Sequence, residues 1–442
     1  MFFDTPLQTL VEQAAAQPER LRERYAMLFA EIERRDATHQ SLCEPSWEWL
    51  SSELDRIGSL PDPKSRPGLF GLPVGVKDTI AVSGLPTKAG TLGDIGQILQ
   101  LPQSPAVTAL QDAGAVIVAK QATNQFCSSA GPAPTEAIRG KEYFAGGSTV
   151  GGAVAVAAGF TRLALGSDAG GSIRHPAALA GVAGLRPRKG SISDDGQING
   201  SLSGQSTGLI ARSAADIALI LARCPSLHAE PNDRATCDKD RPTIGIPDIS
   251  WANVAPAAAA ALRSCASRLG KMGYQVVSTP MWQTQDAQDD FFFVMSFENW
   301  LFHKPLMAEH PEIYSPAVYR VMRAGETIEP REAAAARRRL AGQRKRIFDL
   351  ARTARVDILL TPSIPWPDIR KDAGSPRELS AEGGRFTAIS NIYDLDSLSV
   401  PVERSPEGWT RSVMLHGLTV PLARLLSCAR DFELPHPEAR AR

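Results

Sequence analysis

Cysteine is scarce in this sequence, and neither sign of charge is in excess. Six cysteines are scattered over 442 residues, at 43, 127, 224, 237, 265 and 428, and no two form a C-x-x-C pair. That scatter argues against structural zinc and thioredoxin-type redox chemistry, and fits reduced, buried thiols in a cytoplasmic protein. Lys plus Arg and Asp plus Glu both total 48, so the formal net charge is zero. The basic footprint that a general nucleic-acid binder needs is therefore missing. No apolar run approaches the roughly 18 residues of a membrane span. The opening "MFFDTPLQTLVEQAAAQPERL" lacks the basic-then-apolar order of a signal peptide. The expectation is a soluble, cytoplasmic chain with no nucleic-acid or membrane partner.

Several cofactor motifs are absent too. There is no G-x-x-x-x-G-K-[ST] phosphate loop, and "GGSTVGG" and "GSDAGG" both miss the G-x-G-x-x-G spacing of a dinucleotide site. There is no H-E-x-x-H. His228-Ala229-Glu230 gives H-x-E, but no P-C-x-x-C follows, so the zinc-deaminase pattern fails. The expectation is no metal and no organic cofactor.

What is present is a large core-forming fraction, 43 % hydrophobic. Residues 6 to 57 read as two or three amphipathic helices broken at Gln17-Pro18. A loop at 58–68 separates them from "LFGLPVGVKDTIAV", a buried strand running into a loop. "SPAVTALQDAGAVIVAK" reads helix, Gly114 cap, strand, and "PAAAAALRSCASRLGKMGYQVVS" repeats that order around Gly273. "VDILLTPS" is a further strand. This alternation predicts an α/β fold with a mixed sheet. Nine Lys or Arg residues lie between Glu329 and Arg355 above a helical period of Ala333, Ala336, Leu340 and Ile347, which predicts a solvated helix. Gly and Ser crowd residues 145–208, but "AVAVAAG" and "PAALAGVAGL" between them are apolar helical runs, so the region belongs to the centre of the fold.

The centre of interest is "GSDAGGSIRHPA", residues 166–177. A Ser-His pairing of Ser172 with His175 is disfavoured. Pro176 suits the start of a helix, which makes His175 a cap or pocket-lining residue. A G-x-S-x-G match at Gly204–Gly208 lacks the strand-turn-helix context of a nucleophile elbow and reads as a loop. What remains is a serine activated by lysine. Such a base must be uncharged, which demands burial. Lys77 fits, since it ends the apolar run "LFGLPVGV". No S-x-x-K occurs, so a lysine distant in sequence must reach Ser172 directly or through a relay.

These residues carry a family resemblance. "GLPVGVKD" (71–78), "GGSTVGGAVAVAAG" (146–159) and "ALGSDAGGSIRHPAALAGVAGLRPRKG" (164–190) resemble the amidase signature family in order and spacing. Weaker matches at 119–126, 207–221, 356–365 and 383–402 extend the resemblance over nearly the whole chain. It implies an amidase signature fold, a central twisted mixed sheet surrounded by helices. It also implies a single domain over 1–442, with N-terminal helices to 60, a catalytic core at 68–220 and a helical substrate-pocket region at 280–355. The implied activity is hydrolysis of a carboxamide C–N bond through an acyl-serine.

The resemblance implies Ser172 as nucleophile, Ser148 in a cis peptide as the bridging serine, and Lys77 as base. It implies that the backbone N–H groups of Ala169, Gly170, Gly171 and Ser172 converge on the oxyanion, and that Asp168, Arg174 and Ser167 brace the loop. His175, Gln125, Cys127 and Thr149 are candidate substrate contacts. The sequence departs from the family where "GGSTVGG" places Thr149, Val150 and Gly152. It departs again near 121–125, where the family's Thr-Asn pair and downstream acid read as Gln121-Ala122 and Gln125. The aromatic run 291–307 suggests an apolar pocket wall, with most of its rings in the core. The resemblance also admits a glutaminase subunit of a tRNA-dependent amidotransferase, an esterase or acyl-transfer enzyme, and an inactive binding protein. A homodimer is common among relatives.

Overall fold

Among the described residues, eleven strands make one mixed sheet in the computed structural model of the chain, with the order β1-β3-β2-β4-β6-β5-β10-β11-β9-β7-β8. In chain order these are β1 (Leu42–Cys43), β2 (Pro73–Lys77), β3 (Val116–Gln121), β4 (Leu163–Asp168), β5 (Ala183–Arg186), β6 (Ser206–Ala211), β7 (Ile244–Pro247), β8 (Val276–Thr279), β9 (Ile358–Pro362), β10 (Ser397–Arg404) and β11 (Thr410–Gly417). The structure describes residues 5–59, 67–198, 200–229, 241–250, 253–280 and 285–434. Most of the expected loop at 58–68 lies outside them.

Two parallel blocks, β3-β2-β4 and β8-β7-β9, flank an antiparallel centre. Every residue of β2, β3 and β4 is buried, because helices cover both faces. That is why these strands read as apolar runs rather than alternating patterns. The expected helix–Gly–strand units are present. Helix Pro105–Asp112 opens with proline and leads through Gly114, at φ +84°, into β3, and helix Pro256–Lys271 leads through Gly273, at φ +87°, to β8. The N-terminal helices are Leu7–Ala16, Leu21–His39 and Trp47–Gly58, with the expected break filled by a short turn at Pro18–Arg20. They bury Leu10, Tyr25, Leu28 and Leu50 against the core. The basic stretch is one helix, Pro330–Ala354, burying Ala333, Ala336, Ile347 and Ala351 while most of its cations face outward. No described helix is long and apolar enough to cross a membrane.

Two sequence expectations need correction. The Gly204–Gly208 match is not a loop throughout, for Ser206–Ala211 is the buried central strand β6, paired with β4 and β5. Its polar flank hid it. Ser206 opens a strand rather than a strand-to-helix turn, and its hydroxyl donates to the Pro187 carbonyl. The run "PAALAGVAGL" is only half helical. Helix Arg174–Ala180 ends at Gly181, with φ +72°, and Ala183–Arg186 is β5. Small apolar residues suit either element, so periodicity alone could not separate them. The two-residue β1 was too short to read from sequence at all.

Candidate active site

The carboxyl ends of the parallel strands β2 and β4 meet the glycine-rich segments, the place where open α/β sheets hold ligands. Lys77 is the last residue of β2 and is fully buried. Its Nζ lies within hydrogen-bond distance of Ser148 Oγ at 2.8 Å, Ser167 Oγ at 2.9 Å and the Ser167 carbonyl at 3.3 Å. None of these partners is a carboxylate. The next residue, Asp78, forms a buried ion pair with Lys120 at 3.3 Å and accepts the N–H groups of Lys88 and Gly90, which pins the end of β2. Ser148 follows a cis peptide from Gly147 and precedes helix Val150–Ala158.

The Ser172 loop hangs between Asp168, the last residue of β4, and helix Arg174–Ala180. Asp168 accepts the N–H groups of Gly171 at 2.8 Å and Ile173 at 3.1 Å, and pairs with Arg174 through both carboxylate oxygens. Both side chains are fully buried. Burial pushes the Asp168 carboxyl up, but Arg174, Arg186 and Asn391 outweigh it and hold it well below the usual carboxylate range. Gly171 has φ +123°, and a Cβ there would sit 2.1 Å from Thr387 Oγ1, so only glycine fits. One expectation changes here. The Gly171 N–H is spent on Asp168, which leaves the N–H groups of Ala169, Gly170 and Ser172 without an acceptor among the described residues. The Thr149 N–H donates to the Ser172 carbonyl at 3.0 Å, tying the Ser148 segment to the Ser172 loop.

Both serines open on one cavity of about 490 Å³. Ser167, Ala169, Gly170, Gly171, His175 and Cys127 also line it. The Cys127 thiol faces Lys77, Ser148 and Thr123. Gln125 and Thr149 do not belong to the lining. The Gln125 amide is committed to the Ile313 carbonyl and the Ser315 N–H, and Thr149 is buried with its hydroxyl on the Ser167 carbonyl. Both therefore hold loops in place rather than contact substrate. A Thr-Asn pair does occur in this stretch, at Thr123-Asn124, two residues beyond the position read from sequence. Asn124 lines the cavity, and a Cβ on Gly147 would meet its Oδ1 at 2.4 Å.

Helix Gln285–Glu309 lines the cavity with Phe292 and Met295 but also with Gln288, Ser296, Asn299 and His303, so the wall is mixed rather than apolar, and of the Phe and Trp rings in the aromatic run only Phe291 and Phe297 are buried. Helix Pro330–Ala354, inside the expected pocket region, does not line the cavity. Sequence reasoning missed Thr387 and Asn391. Thr387 donates to the Gly170 carbonyl at 2.7 Å, and Asn391 donates to Asp168 Oδ1 at 3.0 Å while accepting from Arg174. They lie more than 200 residues from the loop they brace, inside the family match at 383–402, which marks the segment but neither residue.

His175 packs its ring on Phe144 and Gly383. Burial lowers its pKa to about 4, so it is neutral at pH 7 and supplies no charge for a substrate anion. Burial also pushes His303 and His416 down to about 3, with Arg174 adding to the effect at His416. A histidine ionises near 6.5 in the unfolded chain, so between that pH and its lower folded value the unfolded state binds more protons. Each of the three therefore costs stability as pH falls from about 6.5 toward 4. Glu433, pushed up to about 7 by burial, works the other way. His416 bridges Thr361 and Ser390 in the core. The stability advantage of the wild type over His416→Gln is expected to shrink as pH falls from 7 to 4, read as the difference in thermal midpoint. A constant difference contradicts the assignment.

Residues 25–425 of the chain match the family described as Amidase. The chain belongs to the amidase family. An amidase of Pseudomonas putida is 28 % identical over 388 residues, spanning 83 % of this chain and 82 % of that protein. The 2-amino-5-chloromuconic acid deaminase of Comamonas testosteroni is 29 % identical over 384 residues, 83 % and 81 % of the two chains. One subunit of the glutamyl-tRNA(Gln) amidotransferase of Deinococcus deserti is 44 % identical, but over 162 residues, 35 % of this chain and 32 % of that protein. Among solved structures, 6-aminohexanoate cyclic dimer hydrolase with substrate superposes at a TM-score of 0.83 over 99 % and 98 % of the two chains, at 18 % identity. That likeness is one of fold. As a member of the amidase family, the chain is a hydrolase of amide C–N bonds.

Proposed function

We propose that this amidase-family chain cleaves a carboxamide through a covalent acyl-Ser172, with Lys77 as base and Ser148 as proton relay. The observation that carries the reading is the buried 2.8 Å hydrogen bond between Lys77 Nζ and Ser148 Oγ, opening on the same cavity as Ser172. That separation serves a proton moving in either direction.

In the first half-reaction Ser172 Oγ attacks the amide carbon. The Ser172 proton passes to Ser148 Oγ as the Ser148 proton passes to Lys77 Nζ. The N–H groups of Ala169, Gly170 and Ser172 are the donors available to the developing oxyanion, and one such donor is worth roughly 3 kcal/mol in the transition state. The C–N bond then breaks, and the same path in reverse delivers the proton to the departing nitrogen. Water attacks the ester that remains, releasing the acid and restoring Ser172. Asp168, Arg174, Asn391 and Thr387 hold the loop so that its donors are in place before substrate arrives.

A fluorophosphonate probe followed by peptide mass mapping tests the assignment. The expected adduct lies on the peptide containing Ser172. An adduct on Cys127, the thiol in the same cavity, or none at all, overturns it.

A further inference from the structure

Charge is almost absent from the cavity. Of its described lining residues, Arg377 alone carries a charge at pH 7. It lies on helix Pro376–Gly383, which opens with a capping box between Ser375 and Glu378. Arg377, Ser380, Ala381 and Gly384 follow the 3-4-7 spacing of one helix face, and all four line the cavity. The deep end of this face meets the reaction centre, because the Thr387 hydroxyl that donates to the Gly170 carbonyl also donates to the Gly384 carbonyl at 3.1 Å. Seven residues at 1.5 Å each put the Arg377 backbone about 10 Å along the helix from Gly384, at an exposed position of the lining. The Arg377 side chain is exposed, and no described carboxylate lies within ion-pair distance of it. The nearest acid in sequence, Glu378, is held by Ser375. Phe126, Phe292, Met295 and Met322 give the lining its apolar surface, beside the uncharged polar side chains of Gln288, Ser296 and Asn299.

We infer that the substrate is an amide carrying a carboxylate at the end remote from its scissile bond, and that Arg377 binds that carboxylate at its exposed position in the lining. The guanidinium fork matches a carboxylate in two parallel hydrogen bonds, whereas a cationic substrate meets only repulsion. Phe126, Phe292, Met295 and Met322 accept the methylene or ring body between the two ends. Arg377 sets specificity and takes no part in bond cleavage. The assignment rests on the acyl-Ser172 reading and deepens it.

The test compares the wild type with Arg377→Gln on the monoamides of succinic, glutaric, adipic and suberic acids, on hexanamide, and on 6-aminohexanamide. For the wild type, at least one acid is expected to exceed hexanamide about 10- to 100-fold in kcat/KM, mostly through KM, with 6-aminohexanamide the poorest. Arg377→Gln is expected to erase that preference, read as the ratio of kcat/KM for the acid to that for hexanamide. Added salt should narrow the preference, because the site is open to solvent. The inference fails alone if hexanamide is turned over and no acid is preferred, or if the preference survives Arg377→Gln. It also fails alone if Ser172 takes the fluorophosphonate but none of these amides is cleaved. If Ser172 takes no probe and no amide is cleaved, the acyl-enzyme reading fails with it.

Discussion

Replacing Ser172 with alanine is expected to lower kcat/KM on any amide substrate by about 10⁴- to 10⁶-fold, with folding intact. The side chain is small and partly open to the cavity, so its loss removes the attacking atom and little packing. The factor follows from nucleophile deletions in enzymes that use a serine and a base as a unit, where a residual rate survives from transition-state donors and binding alone. Lys77→Ala is expected to cost a comparable factor, and the double variant little more than either single one. That non-additivity is the informative part, since two residues acting independently would multiply their losses. Steady-state kinetics on purified variants with matched circular dichroism provides the check. More than about 1 % residual turnover in Ser172→Ala, or multiplicative losses in the double variant, contradicts the shared proton path.

The second large effect concerns stability. Asp168→Ala leaves the Arg174 guanidinium fully buried without its carboxylate, and it frees the N–H groups of Gly171 and Ile173. Removing one partner of a buried ion pair costs about 3–5 kcal/mol, because the remaining charge stays desolvated. The expected result is a marked drop in the urea midpoint together with loss of activity. Removing both charges with Asp168→Ala/Arg174→Met should recover part of the stability but none of the activity. Activity depends on the loop geometry that Asp168 sets, whereas stability depends mainly on the uncompensated charge. A double variant no more stable than Asp168→Ala argues that the backbone hydrogen bonds, not the charge, dominate.

The same residues show how much could be read in advance. Lys77 was legible because a lysine ending an apolar strand needs a reason, and the structure buries it completely beside Ser148. The helix–Gly–strand units were legible because proline starts, glycine stops and apolar periods are local signals. The segment Ala183–Arg186 and the strand at Ser206 were misread. Short runs of small or polar residues suit more than one element, and their strand identity comes from pairing with β10 and β4.

Gln125 and Thr149 drew attention because they sit near family motifs. Which way each side chain is committed, to Ile313 and Ser315 or to Ser167, depends on segments brought in from elsewhere. The family and the fold class were thus written in local sequence, because strand ends, glycine turns and motif segments announce themselves at short range. The spending of the Gly171 N–H on Asp168, the bracing by Thr387 and Asn391, and the place of Arg377 as the one charged residue among the described lining of the cavity were decided only by tertiary structure. Each depends on contacts between segments far apart in the chain, and sequence spacing does not encode which side chains meet.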